Sequence, residues 1–109
     1  MLNEIRIGPT SWLWTKKLAG GKTAVGLTED AADECGLIVH VELPVEGDHV
    51  LRGHPCLLIE TLAGEIELPP PVSGKVVLVN GMVEKNPGIL HYQPGDRCWL
   101  MEVEEAEGF

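Results

Sequence analysis

The chain has 109 residues, enough for one hydrophobic core but not for two, so we expect residues 1–109 to form a single domain. Eight basic and 17 acidic residues give a net charge of −9, which argues against nucleic acid or anionic membranes as partners and favours proteins with basic patches. No stretch approaches the roughly 20 apolar residues of a membrane span, no secretory signal is predicted, and three scattered cysteines fit a reducing cytoplasm.

Short runs rich in valine, isoleucine and leucine predict strands along most of the chain. Glycine, proline, aspartate or asparagine separates these runs, as turns require. Trp12 and Trp14 would share one strand face if their segment is extended, and they serve either core packing or an exposed binding platform. The predicted strands cover residues 5–7, 12–15, 22–27, 37–43, 48–51, 56–62, 65–68, 75–80 and 98–104.

Two short helices are predicted between the strands. Thr28 can cap a helix over residues 29–35, with Gly36 as its C-terminal stop. A second turn of helix could start at Asn86, with Pro87 in the first helical position. The helices are too short to form a layer of their own, so the fold is expected to be mainly β.

A weak internal repeat relates residues 36–41 to residues 74–79, and each copy is followed by a glycine, a valine and then a proline. Two similar β units would predict a pseudo-symmetric sandwich or flattened barrel. Chance similarity between two valine-rich strands explains the same observation, and the sequence leaves both interpretations open.

Two alternating runs of apolar and polar residues meet at a glycine-containing turn and predict a β-hairpin. The first run ends in Glu60-Thr61-Leu62, Ala63 stands at the tip, and the second run begins at Gly64. Pro69-Pro70-Pro71 lacks three backbone N–H groups, so it should end the second strand.

Several short motifs, in this order and spacing, make the chain resemble the H protein of the glycine cleavage system, a lipoyl and biotinyl carrier family. The resemblance covers about Trp12 to Glu104. The motifs are Val25-Gly26-Leu27-Thr28, Val41-Glu42-Leu43-Pro44, Glu60-Thr61-Leu62, Pro71-Val72-Ser73-Gly74, Val76-Val77-Leu78-Val79-Asn80, Asn86-Pro87 and Trp99-Leu100.

The resemblance implies a lipoyl-domain-like hybrid β-sandwich, a flattened barrel of two small antiparallel sheets with one or two short helices. It implies a carrier hairpin exposed at one end. In H proteins a lipoyl arm on this hairpin shuttles an aminomethyl group among partner enzymes. The protein itself is not an enzyme, because catalysis belongs to those partners.

The lipoyl attachment position departs from the family pattern. The resemblance places the lipoyl lysine at Ala63, whose methyl group has no amine to form the amide with lipoate. No lysine lies between Lys22 and Lys75, so none replaces it nearby. We therefore expect no cofactor on this chain as it stands, and lipoate if position 63 were lysine. The family also has a C-terminal helix, and because this sequence ends at Phe109 we expect the contacts of that helix to be missing.

The hairpin residues around Ala63 are the candidate partner-binding site: Glu60, Leu62, Gly64, Glu65 and Glu67. Their acids could form a recognition surface for a lipoate ligase or another partner enzyme. They could equally be solvated residues that alternate with apolar ones along two strands. Both interpretations can hold together, since partners bind exposed faces.

Other chemistry has little support in the sequence. The four histidines and three cysteines form no close metal-ligand pair, although His54-Pro55-Cys56 is the nearest grouping. We expect His40 to lie on the polar face of a strand. Neither Ser11 nor Ser73 has a nearby His-Asp grouping, and no phosphate-binding glycine motif is present. We predict neither a metal site nor a catalytic residue.

Three functions remain open from the sequence. The first is a cargo-free binding module for lipoate-handling or glycine-cleavage-type enzymes. The second is a genuine lipoyl and aminomethyl carrier, of glycine cleavage or a related pathway, whose lysine was engineered to Ala63. The third is a small ligand- or metal-binding β-domain that kept only the scaffold. A monomer is favoured, because acidic side chains oppose pairing of exposed strand edges, and the scattered cysteines favour a cytoplasmic location.

Overall fold

A computed structural model describes residues 5–92 and 98–106 of the chain. Nine strands and three short α-helices follow each other along these residues, with 3₁₀ turns at Thr10–Trp12 and Ala19–Gly21. In chain order they are β1 (Ile5–Ile7), β2 (Leu13–Lys17), β3 (Lys22–Leu27), α1 (Glu29–Cys35), β4 (Ile38–Glu42), β5 (His49–Val50), β6 (Leu57–Thr61), β7 (Gly64–Leu68), β8 (Gly74–Val79), α2 (Gly81–Lys85), α3 (Ile89–Tyr92) and β9 (Trp99–Glu105).

The strands form two sheets. The first has the order β1-β7-β6-β4 and the second has the order β2-β3-β9-β8-β5. Every neighbouring pair is antiparallel except β1 and β7, which run parallel with Ile5 opposite Glu65. This mainly β arrangement confirms the predicted sandwich of two small sheets, and the parallel pair is a detail that the sequence did not predict.

The core lies between the two sheets and consists of aliphatic side chains. Strands such as β6 and β7 alternate buried and half-buried positions, so each gives one face to the core. Full burial of one such side chain contributes about 1.5–3 kcal/mol. The largest fully buried apolar side chains on the strands are Val25, Val41, Ile59, Leu68, Val76, Leu100, Met101 and Val103.

Most local predictions are confirmed, and the exceptions are Trp12 and the two helices that follow β8. The nine predicted strands match observed strands to within two residues, but Trp12 lies in a 3₁₀ turn rather than in β2. Trp12 and Trp14 therefore do not share a strand face. Trp12 packs against the core, and the indole of Trp14 lies over Gly26, where any side chain would collide with the ring.

Helix α1 forms for the reasons that its sequence indicates. The Thr28 hydroxyl oxygen accepts a hydrogen bond from the backbone N–H of Ala31 at 3.1 Å, which satisfies one free donor of the first turn. Gly36 ends the helix with a φ of 70°, in the region that favours glycine. Ala31, Ala32 and Cys35 form its buried face. The helix thus packs this face against the hydrophobic core.

The other two helices differ from prediction. Helix α2 was not predicted, and α3 begins at Ile89 rather than directly after Pro87. Asn80 caps α2 by accepting from the Met82 N–H at 3.2 Å. The Glu84 carboxylate accepts from the Leu43 N–H at 3.2 Å, which attaches α2 to the end of β4. No helix in the described ranges is long and apolar enough to cross a membrane.

The end of β9 is fixed by a carboxylate that accepts two hydrogen bonds. Glu105 accepts one from the Lys17 ammonium on β2 and one from the Thr23 hydroxyl on β3. These bonds stabilise the ionised carboxylate, so they lower the pKa of Glu105 below its ordinary value. A group with a lowered folded-state pKa stabilises the protein at neutral pH and loses that contribution as pH falls.

We therefore expect the free energy of unfolding to fall between pH 6 and 3 less steeply in Glu105→Gln than in the unsubstituted protein. The window spans the unfolded glutamate pKa of about 4.3, because the contribution of Glu105 is lost as pH falls through that value and below it. Urea unfolding at several pH values measures the slopes. Glu102→Gln, also on β9, controls for the loss of one negative charge. Equal slopes in Glu105→Gln and the unsubstituted protein would contradict the assignment.

Candidate functional site

The predicted carrier hairpin is present as β6 and β7. Five residue pairs are in register, from Leu57 opposite Leu68 to Thr61 opposite Gly64. Leu62 and Ala63 are the two residues of the turn, and both are exposed. The hairpin ends at Leu68, directly before the prolines, because proline cannot continue the ladder of hydrogen bonds.

Thr61 organises the turn from inside. Its side chain is buried, with an exposed fraction of 6%. Its hydroxyl donates to the Gly64 carbonyl at 3.1 Å and accepts from the Ala63 N–H at 3.1 Å. The two bonds span the turn, so they hold the backbone of Ala63 in one place. This role of Thr61 was not predicted from the sequence, although a threonine hydroxyl that bonds to the backbone of a nearby residue is a known turn signal.

The turn needs a special backbone conformation at one residue only. Among the described residues no non-glycine residue has a positive φ, so Leu62 and Ala63 both have ordinary backbone angles. Gly64 has a φ of 138°, which a side chain rarely adopts. The backbone conformation at position 63 therefore does not require glycine, while that at position 64 favours it.

Ala63 presents only a methyl group at the position that the resemblance assigns to the lipoyl lysine. The lysine nearest to it in sequence after the hairpin, Lys75, lies in the second sheet, on β8 opposite His49 and Glu104. Lys22 is also in the second sheet, on β3. Neither side chain replaces the missing amine at the turn.

The three candidate acids of the hairpin share its outer face. Glu60 lies directly opposite Glu65, and Glu67 lies opposite Leu58. All three are half-buried, and within the described ranges their side chains form no ion pair or hydrogen bond. Like charges directly opposite each other in a sheet are destabilising, by roughly 0.2–1 kcal/mol.

The histidines and cysteines are scattered in the structure as in the sequence. Among the described residues no three His, Cys, Asp or Glu side chains are grouped to hold a metal ion. His40 is exposed on β4, as expected, with Nε2 3.4 Å from the Glu42 carboxylate. Burial raises the pKa of Cys56 to about 12, so its thiol stays protonated at neutral pH and is a poor nucleophile and ligand.

A sequence model of the family described as Glycine cleavage H-protein matches residues 6–108 of this chain. The chain belongs to the glycine cleavage H-protein family. The suspected resemblance is thereby confirmed over nearly the whole chain. H proteins are non-catalytic carriers of the lipoyl carrier family, so the chain is H protein-like and not an enzyme.

Individual relatives agree with this family. The chain is 40% identical over 91 residues to the glycine cleavage system H protein of Halalkalibacterium halodurans, covering 84% of this chain and 71% of that protein. It is 36% identical to mitochondrial H protein 2 of Arabidopsis thaliana, covering 84% and 58% respectively. The crystal structure of an H protein from Mycobacterium marinum superposes with a TM-score of 0.81 at 28% identity, covering 90% of this chain and 81% of that chain.

Because the chain belongs to this family, its function depends on whether the hairpin turn can carry lipoate. H proteins carry lipoate on a lysine and interact with glycine cleavage enzymes. This chain has the H protein fold, the hairpin and a regular turn, but its turn carries Leu62 and Ala63. The site can present a shaped surface to a partner, whereas its own side chains offer no amine for attaching a cargo.

Proposed function

We propose that this chain is a cargo-free H protein-like binding module for enzymes of glycine cleavage or lipoate handling. The observation that carries the proposal is the intact hairpin around an alanine. Thr61 and Gly64 still build the turn, while Ala63 removes the only group that the carrier reaction requires at that position. The outer face keeps three carboxylates that form no ion pair with any residue in the described part of the chain, and they suit a partner with basic side chains.

The proposal explains why the fold is kept without its cargo. Docking needs the surface of the sandwich and the hairpin, and both are built from backbone ladders and buried aliphatic side chains. Cargo transfer needs one further atom, the lysine Nζ. A chain that keeps the first and lacks the second can occupy a partner enzyme without supplying substrate, either as a scaffold or as a competitor of a loaded H protein.

The test uses purified enzymes with the chain as it exists. Glycine decarboxylase, aminomethyltransferase, dihydrolipoyl dehydrogenase and a lipoate ligase are each immobilised, and the chain is passed over them at micromolar concentration. We expect at least one to bind it and a lipoylated H protein to compete for the same site. If none binds at concentrations where the lipoylated H protein does, the binding-module proposal is wrong.

A second candidate is a true carrier whose lysine was replaced by alanine. It is supported by the ordinary backbone angles and the exposure of Ala63, since a lysine fits there without strain. The native coding sequence decides between natural and engineered alanine. The Ala63→Lys variant tests whether the turn is still recognised as a carrier site.

A further inference from the structure

Three exposed apolar side chains lie at the turn end of the first sheet. The exposed fractions are 79% for Leu62, 58% for Leu37 and 45% for Val39. Ile38 is in register with Thr61, so Leu37 and Leu62 occupy the next position beyond that pair on neighbouring strands. Val39 lies at the register shift of β4, where two successive residues are exposed. We call Leu37, Val39 and Leu62 the apolar tip surface.

A groove continues from this surface toward helix α1. Its volume is about 320 Å³, and Leu37 belongs to its lining as well as to the apolar tip surface. The other lining residues are Ala32, Asp33, Gly36 and His91. Leu37 therefore joins the apolar tip surface to this groove, whose lining also includes the polar side chains of Asp33 and His91. Clustered exposed apolar side chains are the kind of feature that marks interaction sites.

Carboxylates flank the apolar tip surface, and among the described residues no lysine or arginine forms an ion pair with them. The outer face beside it carries the opposed pair Glu60 and Glu65, with His40 opposite Glu60 on the other side. Arg6 is in register with Ile66, whose side chain is buried against the core. Residues in register share a face of the sheet, so Arg6 is on the inner face and the glutamates are on the outer face. The chain's five lysines lie on the second sheet or on α2: Lys16, Lys17, Lys22, Lys75 and Lys85.

We infer that the apolar tip surface docks a protein segment in which apolar side chains alternate with lysine or arginine. This inference rests on the proposed function and names its surface and the chemistry of the partner. Burial of the exposed leucines and relief of the Glu60–Glu65 repulsion both favour such a segment. A second copy of this chain fits poorly, because a two-fold contact would bring the same carboxylates together at a net charge of −9 per copy.

The test is NMR titration of the ¹⁵N-labelled protein with three synthetic peptides of equal length. One alternates leucine with lysine, one serine with lysine, and one leucine with glutamate. We expect the leucine-lysine peptide to shift the amide signals of Leu37, Val39, Leu62 and Ala63. The serine-lysine peptide should bind at least tenfold more weakly and the leucine-glutamate peptide not at all. Shifts that spread over the acidic residues of β9 instead would overturn the inference.

Matched variants separate the surface from general charge attraction. In Leu37→Ser and Leu62→Ser we expect roughly tenfold weaker binding each, from the lost burial of one leucine. Leu51→Ser is the control, because Leu51 is 57% exposed but lies outside this surface, directly after β5. Glu65→Gln should also weaken binding and reduce its dependence on salt. Equal affinity of the leucine variants and the control would contradict the inference.

The same variants distinguish this inference from the proposed function. If the unsubstituted chain binds a glycine cleavage enzyme and the Leu37→Ser, Leu62→Ser double variant binds it equally well, the binding-module proposal stands and the docking surface is wrong. If the chain binds none of the enzymes while the leucine-lysine peptide still maps to the apolar tip surface, the surface stands and the choice of partner enzymes is wrong.

Discussion

Replacing Ala63 by lysine should turn a chain that gains no lipoyl group into one that gains one per molecule. A ligase joins the carboxyl carbon of activated lipoate to a lysine Nζ, with departure of the activating group and loss of a proton from the nitrogen, so the reaction needs an exposed amine at a recognised turn. The turn supplies the exposure and an ordinary backbone at position 63, and Thr61 holds that backbone in place. The change restores only the missing amine, so its effect is all or none.

The measurement is the intact mass after co-expression of Ala63→Lys with a lipoate ligase and lipoate. The unsubstituted chain is the first control. Leu62→Lys is the second, because it places an amine one residue away on the same turn at another exposed position, and we expect it to remain unmodified. If Ala63→Lys folds but gains no mass, the turn is no longer a carrier site, and the second candidate function is wrong.

The sandwich could be predicted from the sequence because its strands are defined by local signals. Runs such as residues 22–27 and 75–80 are apolar and bounded by glycine, asparagine or charged residues, and each became a strand within two residues of the prediction. Helix α1 followed from Thr28 and Gly36 in the same way. Where one short segment contains both the apolar pattern and the residues that begin and end the element, distant contacts do not alter the bounds of that element by more than two residues.

The errors lie where a short element depends on distant contacts. Helix α2 spans five residues, too few for a helical period, and a bond between Glu84 and the Leu43 backbone, 41 residues apart, attaches it to β4. Trp12 was predicted to lie in a strand, but it lies in a 3₁₀ turn that places its side chain against the core. The parallel pairing of β1 with β7 joins segments about 60 residues apart, and no local pattern encodes such a pairing.

For the candidate site, too, features set by local sequence could be predicted and features set by distant contacts could not. The position of Ala63 at the hairpin turn could be predicted, because two alternating runs converge on it. The bonds of Thr61 across the turn and the position of Leu37 beside Leu62 could not, since they depend on cross-strand register and on the irregularity between Ile38 and His40. The apolar tip surface therefore became visible only in the folded chain.

Replacing Gly74 by alanine should destabilise the second sheet strongly. Gly74 begins β8 and is in register with Val50 on one side and Glu105 on the other. A Cβ at this position would lie 2.1 Å from the Glu104 carbonyl oxygen. Because the obstacle is backbone, it cannot rotate away, and the φ of 156° adds strain. We expect a loss on the order of 2–4 kcal/mol in the free energy of unfolding.

Urea unfolding measures this loss, and Gly81→Ala is the matched control. Gly81 begins α2, has nothing within 4 Å of its added Cβ and has no positive φ. Alanine there should be neutral or stabilising by up to about 1 kcal/mol. Gly74 lies outside the apolar tip surface. The Gly74→Ala variant should therefore bind a partner less only in proportion to the fraction of the protein that is unfolded. A Gly74→Ala protein as stable as the Gly81→Ala protein would contradict this prediction. It would show that β8 can move away from the Glu104 carbonyl of β9 without loss of stability.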